Sequence, residues 1–245
     1  MQWKHPIVAF LASALLVQHT PALGASAWPD RYNDCLGMED LNDAQNACED
    51  ALTSPALSVL ERSEVYRQLG KLNRLEDRLD AAKSDLEASL ALVPESPETL
   101  AEMGAVLYLE ANFEGARELL SKAIAKGVPG ASAFNNRGMA LLALGEIKDA
   151  LRDLNAAVEL ASDNGAIWNN RANALCASGD VEGAYLDRIQ ALYNRRFTAS
   201  QAQAGLRSSG FYDGPADGIW GFDSEQALRA WTEAGCPDAP KSRIQ

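Results

Sequence analysis

The segment Phe134-Asn-Asn-Arg-Gly138-Met-Ala-Leu-Leu-Ala-Leu-Gly145-Glu-Ile-Lys-Asp-Ala150-Leu-Arg-Asp-Leu154-Asn-Ala-Ala157 decides the fold, because the chain repeats it. Trp168 stands 34 positions after Phe134, and Asn170-Arg171, Ala172, Gly179, Ala184 and Ala191 follow in step with Asn136-Arg137, Gly138, Gly145, Ala150 and Ala157. The period reaches back through Leu100, Gly104, Ala116, Leu120 and Ala123 to Tyr66, Gly70, Ala82, Leu86 and Ser89. The last copy carries Arg188 where the others have leucine. Each unit pairs a small residue in a first helical pattern with a small residue in a second, and large side chains sit one helical turn away. That spacing puts them on one face of each helix and lets the two helices cross closely. Turns fall at Gly145-Glu and Gly179-Asp within units, and at Pro94, Pro129 and Asp163-Asn-Gly165 between them.

One helix pair of this size cannot cover its own apolar face, so the units must stack. Period, crossings and turn placement together resemble the tetratricopeptide (TPR) repeat, with four units over residues 63–197. The resemblance implies an all-α superhelical solenoid whose first helices line a concave inner wall. By repeat position that wall includes Glu64, Arg67, Lys71, Arg74, Ala101, Tyr108, Asn135, Met139, Asn169 and Asn173. It runs from a cationic end into an amide-rich, partly apolar trough. Asn136-Arg137 and Asn170-Arg171 read as bridges between adjacent units, with ligand contact the alternative. Residues 28–62 carry Ala44-Gln-Asn-Ala-Cys48-Glu-Asp-Ala51, a second-helix rhythm, and read as a degenerate N-terminal capping repeat.

A second motif follows the array. Gly210-Phe-Tyr-Asp-Gly-Pro-Ala-Asp-Gly-Ile-Trp-Gly221 joins two short amphipathic helices and combines turn residues with three aromatics. Asp213 and Asp217 suit Asx turns, and the loop reads as ordered. With Gln203-Ala-Gly-Leu206 before it and Ser224-Glu-Gln-Ala-Leu-Arg-Ala-Trp231 after, residues 198–237 resemble the peptidoglycan-binding module of bacterial wall proteins. The loop matches throughout. Ser224, Trp231 and Thr232 replace the family's Thr, Phe and Gln, and Pro237-Asp-Ala-Pro240 stands where a third helix would continue, leaving 238–245 as a tail. The resemblance implies wall contact through Phe211, Tyr212, Asp213, Asp217 and Trp220. The alternative is that these helices only cap the solenoid, with Trp231 in its core. Asp223-Ser-Glu-Gln226 is expected to cap the last helix.

Residues 1–27 combine Lys4, the apolar run Ile7 to Val17 and Ala25-Ser-Ala27, the pattern of a cleaved secretory signal peptide. The run is too short to span a bilayer, so the mature protein is expected to be periplasmic, with no membrane span. Both histidines, His5 and His19, fall in that leader. The remainder therefore has no histidine for triad catalysis, general-base work or His-ligated zinc. No catalytic residue, metal or cofactor is implied. A formal net charge of −12 argues against nucleic acid as a partner. An envelope protein or peptide in the groove and peptidoglycan at the C-terminal module are the partners expected. A carboxylate-based wall-lytic enzyme is the remaining rival. Four cysteines in an exported chain allow three pairings. Cys35–Cys48 is local, and Cys176–Cys236 would clamp the module onto the array.

Overall fold

The computed structural model describes residues 28–194 and 198–234. The expected signal peptide (1–27) and tail (238–245) lie outside the described residues, as does Cys236. Every element among the described residues is a helix. The first pair, α1 (Trp28–Gly37) and α2 (Leu41–Leu52), precedes the repeats. Unit one is α3 (Val59–Leu75) and α4 (Leu79–Leu92), and unit two is α5 (Pro97–Leu109) and α6 (Phe113–Ala125). Unit three is α7 (Ser132–Ala143) and α8 (Ile147–Leu160), and unit four is α9 (Gly165–Ser178) and α10 (Val181–Tyr193). The C-terminal module is α11 (Ala199–Ser208) and α12 (Phe222–Glu233). The leading helix of unit one begins at Val59, ahead of the expected boundary at Ser63, because Ser58 and Glu61 form a capping box.

The glycine positions of the first helices are close approaches. A Cβ placed on Gly70, Gly104 or Gly138 would lie 2.6, 2.6 or 2.8 Å from the Cγ of Leu86, Leu120 or Leu154. Those leucines are fully buried between the two helices of each unit. Adjacent units then pack first helix to preceding second helix, with separate apolar clusters following one another along the array.

Each unit turns from its first to its second helix through one left-handed residue. Gly145 and Gly179 have φ of 78° and 86°, and the equivalent positions in units one and two, Asp77 and Ala111, have 63° and 60°. The backbone N–H of the next residue closes each turn onto the helix end, as in Arg78 N–Asn73 O (2.9 Å) and Glu146 N–Leu141 O (2.9 Å).

The N-terminal pair is tied by the expected Cys35–Cys48 disulfide. It packs on α3 around Val65 and Leu69. Tyr32 on α1 donates to Glu64 Oε2 at 2.9 Å. Burial, reinforced by that carboxylate, pushes the Tyr32 phenol up to about 12.

Candidate functional site: the inner wall, the C-terminal loop and the junction between them

The repeated Asn-Arg pairs hold the array together. Arg137 donates to both oxygens of Asp153 (2.6 and 2.8 Å) and to Ser121 Oγ of the preceding unit (3.2 Å). Arg171 does the same one repeat later, with Asp187 (2.7 and 2.7 Å) and Asn155 Oδ1 (3.1 Å). Both guanidinium groups also stack, over Phe134 and over Trp168. Asn170 Nδ2 donates to Asn135 Oδ1 at 2.8 Å, and Asn135 Nδ2 to Asn136 Oδ1 at 3.2 Å. These side chains bridge adjacent units, and the buried acids Asp153 and Asp187 are held bidentately, the strongest geometry for such a pair.

That bracing changes the character of the expected groove. Its cationic end is largely neutralised. Arg67 pairs with Glu64 (2.9 Å), and Arg74, only 4% exposed, pairs with Glu102 (3.1 Å). Lys71 is half-buried. Tyr108 packs against Phe113 with ring centroids 5.5 Å apart, and burial raises its pKa. Met139 and Asn135 are buried, Asn135 within the bridge just described. Asn169 is also buried, at 5% exposure, yet its Nδ2 meets no hydrogen-bond partner. Asn173 Oδ1 accepts from Arg188 Nη2 at 3.4 Å.

In the C-terminal module, a buried amide that the Gln-x-x-Leu motif had marked organises the loop. Gln203 Nε2 lies within reach of Asp217 Oδ1 (3.2 Å), Ile219 O (3.0 Å), Ser224 Oγ (3.1 Å) and Tyr212 OH (3.4 Å). Its Oε1 accepts from Gly218 N at 2.8 Å. Asp217 also closes the expected Asx turn, accepting from Ile219 N at 2.9 Å. Tyr212 therefore turns inward into a core with Leu206, Leu228 and Trp231, which removes it from the surface offered to a polymer. Phe211 and Trp220 remain half-buried at its edge, and Asp213 is exposed. Ile219 and Phe222, which the sequence reading did not single out, are each 74% exposed.

The expected cap at Asp223-Ser-Glu-Gln226 is not how α12 begins. Its N-cap is Gly221, with no side-chain cap bond, because the loop delivers extended backbone to that point. Ser224 is buried beneath Gln203, while Asp223 and Glu225 complement the positive helix end.

The module docks on α10. Tyr185 OH donates to Glu225 Oε1 (2.9 Å), Arg229 pairs with Glu182 (2.9 Å) and stacks on Tyr185, and Arg188 lies over Trp231. Burial lowers the Arg188 pKa to about 10. A cavity of about 440 Å³ opens at this junction, walled by α9, α10, α11 and α12. The expected Cys176–Cys236 bond cannot be followed here, since Cys236 lies outside the described residues.

No protein-family model matches the chain, and no curated protein matches it. Solved structures do. PilF of Pseudomonas aeruginosa superposes with a TM-score of 0.59 at 16% identity, covering 75% of this chain and 83% of that one. YrrB, a TPR protein with an unusual peptide-binding site, gives 0.52 at 16% identity, over 80% of this chain and 93% of that one. A chain of the APC/C hetero-tetramer Cut9–Hcn1 gives 0.56 at 20% identity over 62% of this chain, which spans only 30% of that one. The fold is the all-α TPR superhelix. Among the described residues no helix is long and apolar enough to cross a membrane.

Proposed function

We propose that this chain is an exported, non-catalytic scaffold. Its inner wall holds a protein or peptide partner, and its C-terminal loop contacts peptidoglycan in the periplasm. One observation carries the reading. Gln203 fixes the loop from within, and the loop nevertheless holds Ile219 and Phe222 at 74% exposure beside the half-buried Trp220. A rigid mount that keeps large apolar groups in water suits contact with another surface, and aromatic faces suit sugar rings. The non-catalytic part of the reading is supported by the buried carboxylates Asp153 and Asp187, both engaged by arginine.

A second reading, the pure adaptor, is favoured by a different observation. Tyr212 and Trp231 share one core with Tyr185 of the array, so the module also serves as the end cap of the solenoid. Co-sedimentation of the purified full chain with sacculi separates the two. Retention on sacculi supports wall contact, and its absence leaves the adaptor. Crosslinking in the periplasm, read by mass spectrometry, tests for a partner on the inner wall. Recovery of the chain with no crosslinked protein would count against the scaffold.

A further inference from the structure

Gly205 stands inside α11 with no steric reason to be glycine. Its backbone is not left-handed, and a Cβ placed on it would meet nothing within 4 Å. The glycines of the first helices differ, since there an added Cβ would strike a leucine. Glycine inside a helix costs stability relative to alanine, so packing does not account for this one. The residue is exposed and lines the junction cavity of about 440 Å³. That volume falls in the range of small-molecule sites, and glycine lets a ligand come close to the backbone.

The wall of the cavity selects the ligand. Most of it is apolar, with Leu192, Leu206 and Leu228 among the lining residues. Among the described residues that line it, Arg188 is the one with a charge. Its guanidinium lies over Trp231 and donates to Asn173 Oδ1 (3.4 Å), Cys176 Sγ (3.2 Å) and Thr232 Oγ1 (3.4 Å), so it is engaged within the protein. Gln201, Ser208 and Ser209 add uncharged polar groups to the wall. Ser208 and Ser209 give their hydroxyl protons to Gly205 O at 2.8 and 3.0 Å, which leaves their oxygens as acceptors. An ion entering such a cavity gives up its hydration without gaining a partner, and a neutral molecule does not meet that cost.

We propose that this cavity binds a small uncharged molecule with a hydrocarbon body and a hydroxyl or amide head, the hydrocarbon lying on the leucines and over the bare backbone of Gly205. The site stands apart from the wall-contact and groove readings above.

Calorimetric titration of the full chain with hexanol and hexanamide, against hexanoate and hexylammonium, tests the proposal. At least one neutral probe binds saturably at one site, and both ions bind about tenfold more weakly or worse, the loss expected when a charge is buried without a partner. Gly205 supplies the second arm. Gly205→Ala and Gly205→Leu both melt at or above the temperature of the parent, because helix propensity improves and the new side chain enters open space. Gly205→Leu nevertheless weakens binding about tenfold or more, because its side chain occupies the cavity. Failure of both neutral probes to bind, ions as tight as neutral probes, or unchanged binding in Gly205→Leu would each overturn the site. A lower Tm in Gly205→Ala would overturn it too, by giving the glycine a structural role.

Discussion

The Arg188 guanidinium carbon lies 4.2 Å from the centroid of the Trp231 ring, and this stacked pair joins the repeat array to the C-terminal module. The three earlier units carry leucine at this position, seated against a glycine so close that an added Cβ would clash. Unit four changes both partners, to Ala172 and Arg188. The arginine head lies over Trp231 instead.

That relationship predicts coupling. Arg188→Leu alone destabilises, because the leucine meets Ala172. Adding Ala172→Gly restores the pairing of the earlier units and recovers the loss. A double-mutant cycle by urea unfolding should give a coupling of about 1–2 kcal/mol, and additivity within about 0.3 kcal/mol would show the two sites to be independent.

The same arginine carries a pH signature. Its folded-state pKa, about 10, is below its ordinary value of 12.5, so the buried charge costs stability at neutral pH. The cost is fully present below about 10 and is relieved as pH rises through that value toward 12.5. The parent should therefore gain stability relative to the Arg188→Leu, Ala172→Gly double variant as pH is raised from neutrality toward 11. Parallel stability curves would refute this.

The turn between helices predicts an easy stabilisation. Ala111 holds φ of 60° at the position where units three and four use glycine. Side chains in the left-handed region cost about 1 kcal/mol or more. Ala111→Gly should raise stability by roughly 0.5 kcal/mol after the extra unfolded-state entropy of glycine is subtracted. Gly145→Ala should lower it. Urea midpoints at unchanged slope are the measurement, and a loss in Ala111→Gly would count against the strain.

Not all ion pairs here weigh the same. Arg171→Ala leaves Asp187 buried with its charge uncompensated and should cost about 3 kcal/mol or more. Arg152→Ala removes an exposed i,i+3 partner of Asp149 and should cost under about 1 kcal/mol. Thermal unfolding of the two variants side by side decides it. Equal shifts would mean the repeated clamp contributes no more than surface charge.

The solenoid was legible because its signal is redundant. Gly70, Gly104 and Gly138 report the same crossing three times, and the Asn-Arg pairs repeat with their bracing role intact. The bonding of the expected inner-wall residues was not legible. Arg74 and Asn135 are buried, and Glu102 and Asn170, which bond them, come from other units; sequence spacing does not reveal which long side chains meet. Asp77 and Ala111 escaped notice as left-handed residues because neither is glycine. The junction cavity takes two of its four walls, α11 and α12, from helices outside the repeat, so the period does not show it.

The loop of the module makes the last prediction. Tyr212 and Trp220 look equivalent in the motif, but Tyr212 is buried in the core and sits over Gly214, where an added Cβ would strike its ring. Tyr212→Ala should therefore lower Tm and weaken sacculus binding together, through lost packing. Trp220→Ala and Phe222→Ala should leave Tm nearly unchanged, since Trp220 is only half-buried and Phe222 is 74% exposed. If this surface contacts the wall, both reduce co-sedimentation with sacculi several-fold. The interaction should persist when salt is raised, because a chain of net charge −12 gains nothing from Coulomb attraction to an anionic wall, and screening only relieves repulsion. Full retention on sacculi by the folded Trp220→Ala, Phe222→Ala double variant would remove wall contact from this face and leave the module as the end cap of the array.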